Sequence, residues 1–182
     1  MVNVISVANQ KGGVGKTTTT INLAASIADR GYRVLIVDID PQGNATSGLG
    51  IEKSEIDQDI YNVLIDEVPI QDTIHHTSTP KLDMVPATIN LSGAETELIS
   101  MMARETRLKS ALDAVSDKYD FVFIDCPPSL GQLSINAFTA SDSILIPVQS
   151  EYYAMEGLSQ LLNTIRLVQK HFNKDLGVKA CF

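Results

Sequence analysis

The chain has few cysteines, no long apolar run and a deficit of basic residues. Its two cysteines, Cys126 and Cys181, are too few to supply a metal cluster from one chain, and this number fits a reducing compartment. No apolar run reaches the length of about 18 residues that a membrane-spanning helix needs, and the N-terminus lacks the pattern of a signal peptide. We therefore expect a cytoplasmic protein that does not engage a membrane.

Acidic residues outnumber basic ones by 22 to 14, which gives a formal net charge of −8. Non-specific binding of nucleic acid depends on clustered lysine and arginine, and no such cluster stands out in this sequence. The chain by itself therefore offers no evident nucleic-acid surface. Its length of 182 residues suits one domain with a substantial core, which we place over residues 1–182.

The strongest signal is a glycine-rich segment near the N-terminus, Lys11-Gly12-Gly13-Val14-Gly15-Lys16-Thr17-Thr18. Gly15, Lys16 and Thr17 satisfy the end of the phosphate-binding pattern G-x-x-x-x-G-K-[ST], whereas its first glycine position falls on Gln10. A second lysine, Lys11, precedes the usual one. The glycines let the backbone turn its N–H groups inward around phosphate oxygens, Lys16 adds charge, and Thr17 offers a hydroxyl to Mg²⁺. A chance glycine turn is the alternative interpretation.

The segments on either side of this loop are those that a phosphate-binding loop requires. Val2–Ala8 is a β-branched, apolar run of the length expected for a buried parallel strand. Lys16–Arg30 has the apolar spacing of a helix, with Gly31 as its stop. Phosphates are therefore expected at the N-terminus of this helix, where unpaired N–H groups and the helix dipole favour anions.

Two further buried strands end in carboxylates. The strand Arg33–Ile39 runs into Asp38-Ile39-Asp40-Pro41-Gln42-Gly43-Asn44, and the strand Phe121–Ile124 runs into Asp125-Cys126-Pro127-Pro128. Open parallel sheets bind ligands at the edge formed by the carboxyl ends of their strands. An apolar strand followed by aspartate is expected of a Walker B element, in which Asp125 holds Mg²⁺ directly or through a water. Cys126 in this turn is expected to be a small buried side chain.

The rest of the chain alternates strands and helices. Leu82–Pro86 and Ile144–Val148 are predicted strands, Leu91–Ser116 is predicted to form one or two helices, and a long helix with an apolar stripe follows. The stretch Gly48–Thr79 is more polar, and we interpret its His75 and His76 as solvated loop residues with no ligand constellation nearby. The alternation predicts an α/β fold, namely a doubly wound, mostly parallel sheet with helices on both faces.

These motifs resemble the ParA/Soj family of chromosome and plasmid partition ATPases, within the wider group of deviant Walker A ATPases that includes MinD. The resemblance extends over essentially all 182 residues, and the segment from Asp38 to Asn44 is closer to the partition branch than to MinD. It implies a P-loop NTPase fold, Mg²⁺-dependent hydrolysis of ATP, and an ATP-dependent homodimer that sandwiches two nucleotides. It also implies slow basal turnover that a ParB-like, centromere-binding partner stimulates.

The resemblance implies roles for individual residues. Lys11 would reach across the dimer to the phosphates bound by the other subunit, whereas Lys16 would contact those of its own. Asp40 matches the family's aspartate that positions or activates the attacking water, and Asp125 matches its Walker B aspartate. The implied catalytic residues are therefore Lys11, Lys16 and Asp40. The nucleotide would be held by Lys11, Gly12, Gly13, Val14, Gly15, Lys16, Thr17, Thr18 and Glu151, and Mg²⁺ by Thr17, Asp40 and Asp125.

Two other carboxylates near these motifs need separate interpretation. Glu151 lies where relatives place a carboxylate near the ribose across the dimer. Alternatively, it is a negative charge favoured by the N-terminus of a helix. Asp38 is expected to support the end of its strand rather than to touch the nucleotide.

Family members continue beyond the position of Phe182, and their later segments carry DNA-contacting basic residues and much of the adenine pocket. The chain is therefore expected to be C-terminally truncated and to bind DNA non-specifically only in the complete protein. Two alternatives remain open. A MinD-like membrane-cycling regulator would need an amphipathic C-terminal helix, which this chain does not contain. A nucleotide-binding scaffold would bind nucleotide without turnover.

Overall fold

The computed structural model describes residues 2–148 and 154–181. In chain order, its elements are β1 (Asn3–Val7), α1 (Lys16–Asp29), β2 (Val34–Asp38), α2 (Asn44–Gly48), α3 (Ile60–Leu64), β3 (His75–His76), β4 (Leu82–Val85), α4 (Leu91–Glu97), α5 (Arg107–Asp113), β5 (Phe121–Asp125), α6 (Gln132–Ala140), β6 (Ser143–Pro147), α7 (Ala154–His171) and β7 (Gly177–Cys181). Short 3-10 turns lie at Lys53–Glu55, Ile70–Thr73 and Leu98–Ser100.

The strands form one seven-stranded sheet in the order β3-β4-β2-β5-β1-β6-β7. Every neighbouring pair is parallel except β3 and β4, which are antiparallel. The central strands are rich in β-branched residues because both of their faces are covered, and every residue of β2 is buried. The mostly parallel α/β fold expected from the sequence is confirmed.

Side chains of β2 alternate between two hydrophobic cores, as the two-residue period of a strand requires. Leu35 and Val37 belong to the larger core, which includes residues of α3 to α7. Val34 and Ile36 belong to the smaller core on the opposite face, where α1 and α2 pack. The sheet is therefore covered by helices on both faces, and its carboxyl edge remains the place where loops can form a site.

One local expectation differs from the structure. His75 and His76 form the edge strand β3 rather than a loop, because they pair with Met84 and Asp83 of β4. The ring Nδ1 of His76 lies 2.7 Å from a carboxylate oxygen of Asp83. Within residues 2–148 and 154–181, no group of three or more His, Cys, Asp or Glu residues could hold a metal ion.

The segment Leu91–Ser116 forms two helices, α4 and α5, with a 3-10 turn and an irregular stretch between them. Ala103 in this stretch has a φ of 52°, in the left-handed region that interrupts a helix. A carboxylate of α4 also stabilises the start of α6, since Glu95 accepts the backbone N–H of Gln132 at 2.7 Å. The interruption thus lets α4 and α5 pack separately against α6.

Candidate functional site

The glycine-rich loop connects β1 to α1 at the carboxyl edge of the sheet. Gly13 and Gly15 have φ values of 75° and 86°, which an L side chain rarely adopts, and Gly15 is the N-cap of α1. A Cβ added at Gly12, Gly13 or Gly15 would meet no atom within 4 Å. The loop backbone therefore faces open space, with the room and the donor-rich helix N-terminus that a phosphate group requires.

Lys16 is the first residue of α1, and only 8% of it is exposed. Its ammonium Nζ donates to the carbonyl oxygen of Lys11 at 3.4 Å, so the charge lies over the loop rather than in solvent. A long donor–acceptor distance of this kind corresponds to a weak hydrogen bond. An incoming phosphate, which is a stronger acceptor, could replace the Lys11 carbonyl as the partner of Lys16.

Asp125 ends β5 at the centre of this edge and is fully buried. It pairs in register with Val7 of β1 on one side and with Asp38 of β2 on the other. Its carboxylate accepts the hydroxyl of Thr17 at 2.7 Å and that of Thr20 at 3.0 Å. Burial raises the pKa of Asp125 to about 6, while the two hydroxyl donors oppose this shift.

Thr20 lies outside the sequence motifs, although its spacing from Thr17 is a signal that could have identified it. It lies one helical turn after Thr17, so both hydroxyls fall on the same face of α1. The Thr20 hydroxyl also lies 3.0 Å from the backbone oxygen of Lys16 and is fully buried. Thr20 therefore orients Asp125 from inside the fold, and Thr17 contacts the same carboxylate from the open side.

Asp38 is the second buried carboxylate of this edge. It accepts the backbone N–H of Asp40 at 3.1 Å, and both the N–H and the hydroxyl of Thr46 at 2.9 and 2.8 Å. Burial and, to a smaller extent, the charge of Asp125 together raise its pKa to about 7. The Thr46 hydroxyl also accepts the N–H of Ala87 at 3.0 Å. Asp38 thus supports the strand end, as its position predicts.

Asp40 lies two residues beyond, on the segment that Asp38 fixes. Only 8% of Asp40 is exposed, and one carboxylate oxygen accepts the backbone N–H of Gln42 at 2.9 Å. The charge of Asp40 raises the pKa of Asp125, so the two carboxylates are electrostatic neighbours. Asp40 and Asp125 are thus a pair of carboxylates near Lys16, and carboxylate oxygens are ligands that a hard cation such as Mg²⁺ prefers.

The turn that carries Asp40 depends on Gly43. This residue has a φ of 58° and its N–H donates to the carbonyl oxygen of Asp40 at 2.8 Å. An added Cβ would lie 2.6 Å from the carbonyl oxygen of Ala87, which is too close for van der Waals contact. The segment after Asp40 is therefore held against the end of β4 because residue 43 has no side chain.

We expect Gly43→Ala to destabilise the fold by about 2 kcal/mol or more, because left-handed strain adds to a clash with backbone. Gly50→Ala is the matched control, since Gly50 has a φ of 77° but open space around it. Gly50→Ala should be destabilised by the left-handed strain alone, on the order of 1 kcal/mol. Denaturant unfolding of both variants measures the difference, and equal losses would show that the approach to Ala87 is unimportant.

The sequence-predicted site residues lie together at this edge where the structure describes them. Thr17 and Asp125 are in direct contact, and Asp40 and Lys16 are near enough to affect the pKa of Asp125. Val14 is buried at 7% exposure, whereas Thr18 is exposed on the first turn of α1. Glu151 lies outside the described residues.

The residues present fit a magnesium–nucleotide complex. The cradle formed by Gly12, Gly13 and Gly15 has room for phosphates, and a threonine hydroxyl with a carboxylate oxygen is a ligand pair suited to Mg²⁺. The metal would be held by Thr17 and Asp125, with Asp40 as a further oxygen donor. The fit rests on the donor set and on the open face of the loop.

Cys126 is 1% exposed, and burial raises the pKa of its thiol far above the ordinary value, so it is the small buried side chain that was expected. Within the part of the chain that the structure describes, no helix is long and apolar enough to cross a membrane.

The sequence matches the family model of an AAA domain over residues 2–178. The sporulation initiation inhibitor protein Soj of Bacillus subtilis is 62% identical over 180 residues, which are 99% of this chain and 71% of Soj. The chromosome partitioning protein ParA of Myxococcus xanthus is 56% identical over 177 residues, which are 97% of this chain and 62% of that protein. The chain thus spans about two thirds of the length of these relatives.

Solved structures share the fold. A cobyrinic acid a,c-diamide synthase from Mycobacterium smegmatis with bound ADP and magnesium superposes with a TM-score of 0.95 at 41% identity, covering 99% of this chain and 74% of that one. A putative plasmid partition protein from Borrelia burgdorferi bound to AMPPNP has a TM-score of 0.85 at 30% identity, covering 99% of this chain and 73% of that one.

Proposed function

The chain belongs to the ParA/Soj family of partition ATPases, and from this premise we propose that it binds Mg·ATP, dimerises around two nucleotides and hydrolyses ATP during DNA segregation. The observation that carries the proposal is the contact of 2.7 Å between the Thr17 hydroxyl and the Asp125 carboxylate, directly beneath an open glycine loop. This contact would join the proposed phosphate site to the proposed metal site, and phosphoryl transfer needs both.

In the proposed complex, Lys16 and the N–H groups of the glycine loop bind the phosphates of ATP. Asp125 and Thr17 hold Mg²⁺, which would neutralise charge on the phosphate oxygens. Asp40 would orient the attacking water; in support of this role, its N–H donates to Asp38 and its charge acts on Asp125. The protein then contributes positioning and charge rather than covalent chemistry.

Lys11 is proposed to complete the site of the other subunit. A lysine supplied in trans neutralises the charge that develops on the transferring phosphoryl group, as an arginine finger does. The competent site would then exist only in the dimer, so basal turnover would be slow. Stimulation by a ParB-like partner and a place on the nucleoid are part of this proposal.

Three other functions are less well supported. A MinD-like regulator conflicts with the sequence from Pro41 to Asn44, which is closer to the partition branch. Diamide synthesis, the activity of the Mycobacterium smegmatis protein, is less favoured because identity to Soj is 62% and identity to that protein is 41%. A scaffold that binds without turnover would fail a single-turnover assay of ATP hydrolysis, in which the proposed enzyme forms ADP and phosphate.

We expect Lys11→Ala to keep the ATP affinity of the monomer but to lose dimerisation and hydrolysis, because Lys16 and the loop amides bind the subunit's own phosphates. Analytical ultracentrifugation with ATP, nucleotide titration and a phosphate-release assay measure the three properties. Lys109→Ala, a change at an exposed lysine of α5, is the control. Hydrolysis at the wild-type rate by Lys11→Ala would remove Lys11 from its role.

Mixing two inactive variants tests whether Lys11 acts in trans. In a dimer of one Lys11→Ala subunit and one Asp40→Ala subunit, one site keeps its own Asp40 and receives an intact Lys11 from the other subunit. The mixture should therefore regain hydrolysis at that site. If Lys11 instead acted within its own subunit, neither site of the mixed dimer would be complete, and the mixture would remain inactive.

A further inference from the structure

Asn9, two residues before Lys11, uses both ends of its side-chain amide. Its Nδ2 donates to the carbonyl oxygen of Pro147 at the end of β6, at 2.7 Å. Its Oδ1 accepts the backbone N–H of Lys11 at 3.0 Å. Only 8% of Asn9 is exposed. An amide that must donate on one side and accept on the other has a fixed orientation, so Asn9 fastens the peptide of Lys11 to the neighbouring strand.

The hydrogen bond between Asn9 and the Lys11 backbone is shorter than the one between Lys16 and the Lys11 backbone. The carbonyl of Lys11 accepts from Lys16 at 3.4 Å, a longer contact that a bound phosphate would compete for. The N–H of Lys11 is held by Asn9 at 3.0 Å, and Asn9 itself is tied to β6. If the Lys16 ammonium binds a phosphate instead of the Lys11 carbonyl, the hydrogen bond from the Lys11 N–H to Asn9 would remain.

The adjacent residue strengthens the same attachment. Gln10 occupies the position where the ordinary phosphate-loop pattern has its first glycine. Its Nε2 donates to Oε1 of Gln160 on α7 at 2.6 Å, and a Cβ on Gly157 would lie 3.6 Å from its Oε1. The residues before Lys11 are thus attached to both β6 and α7. Gln10 makes this part of the loop more rigid than a glycine at the same position would.

We propose that Asn9 is a positioning residue for Lys11: it fixes the backbone from which the Lys11 side chain extends towards the nucleotide of the other subunit. The lysine stem is long and flexible, so the direction in which it leaves the loop decides how often the ammonium reaches its target. A displacement of about 1 Å at a reacting group can lower a rate on the order of 100-fold. This inference rests on the proposed trans role of Lys11.

The test is a double-mutant cycle between Asn9→Ala and Lys11→Ala, measured as ATP-dependent dimerisation and as ATP hydrolysis. Asn9→Ala should weaken dimerisation roughly tenfold or more, and at the high protein concentration where some Lys11→Ala dimer remains it should weaken that remaining dimer no further. The affinity of the monomer for ADP should change by less than about twofold, because Lys16, which binds the phosphates, is unchanged.

Conservative variants separate the two hydrogen bonds. Asn9→Ser keeps a short acceptor for the Lys11 N–H but cannot reach Pro147, and Asn9→Asp keeps the acceptor while removing the donor. If the tie to β6 matters, both variants should lose dimerisation like Asn9→Ala. Asn173→Ala is the matched control for stability, since its Nδ2 donates to the carbonyl oxygen of Ser141 at 2.6 Å, away from the loop.

Each result has one meaning. Normal dimerisation and hydrolysis by Lys11→Ala alone would overturn the proposed function and with it this inference. Loss in Lys11→Ala together with normal behaviour of Asn9→Ala would overturn only the role of Asn9. If the losses of dimerisation from Asn9→Ala and Lys11→Ala add in the double variant, Asn9 supports the fold in general. The same conclusion follows if Asn9→Ala lowers ADP affinity as much as it lowers dimerisation, or if Asn173→Ala loses as much dimerisation as Asn9→Ala. If Asn9→Ala does not fold, Asn9→Ser decides between these outcomes.

Discussion

Lys16→Ala is expected to abolish nucleotide binding, whereas Asp40→Ala is expected to bind ATP and to remain trapped as the ATP-bound dimer. Lys16 brings a mostly buried positive charge to the phosphate loop, and removing a charged hydrogen-bond donor from such a site should lower affinity on the order of 100-fold. Asp40 acts on the water instead, and loss of such a group should slow hydrolysis by roughly 10² to 10⁴-fold.

Calorimetric titration with a slowly hydrolysed ATP analogue measures the contrast in affinity, and phosphate release measures turnover. Lys170→Ala, in the last turn of α7, controls for the general loss of one positive charge. The Asp40 carboxylate also accepts the N–H of Gln42, so thermal unfolding of each variant must accompany the titration. Equal loss of affinity in Lys16→Ala and Asp40→Ala would exclude the role given to Asp40.

Residues 1–182 alone are not expected to retain duplex DNA, even with ATP. Their net charge is −8, and three of their arginines are engaged with carboxylates: Arg33 with Asp120, Arg104 with Glu105, and Arg107 with Glu67. Non-specific binding depends on releasing counterions from phosphates neutralised by lysine and arginine. An acidic surface on which three arginines are engaged in this way offers few such contacts.

A chimaera tests this expectation. Residues 1–182 joined to the C-terminal part of Soj that lies beyond the matched region should retain arbitrary duplex DNA in the presence of ATP. Its affinity should fall by roughly 10³-fold or more between 50 and 200 mM salt if at least six phosphates are contacted. Salt-sensitive, ATP-dependent retention by residues 1–182 alone would instead place the DNA surface within this segment.

The local parts of the site could be predicted from the sequence because each lies within a few residues of chain. The glycines of the loop, the lysine and threonine that end it, and the aspartate after an apolar strand have short, fixed spacings. The sequence also predicted the parallel sheet, since buried strands alternated with helices. The histidine pair was interpreted wrongly as a loop because a two-residue strand has no period of its own, and only the neighbouring strand β4 holds it.

The sequence by itself determined the loop, the strand-end carboxylates and the class of fold, because these follow from contiguous residues. Only the tertiary structure decided which of them touch. Placing β5 between β1 and β2 brings Asp125 beside Asp38 and under Thr17, although Thr17 and Asp125 are 108 residues apart. It also decided that Asn9 meets Pro147, 138 residues away. Such contacts depend on how packed layers align, and no local spacing encodes that alignment.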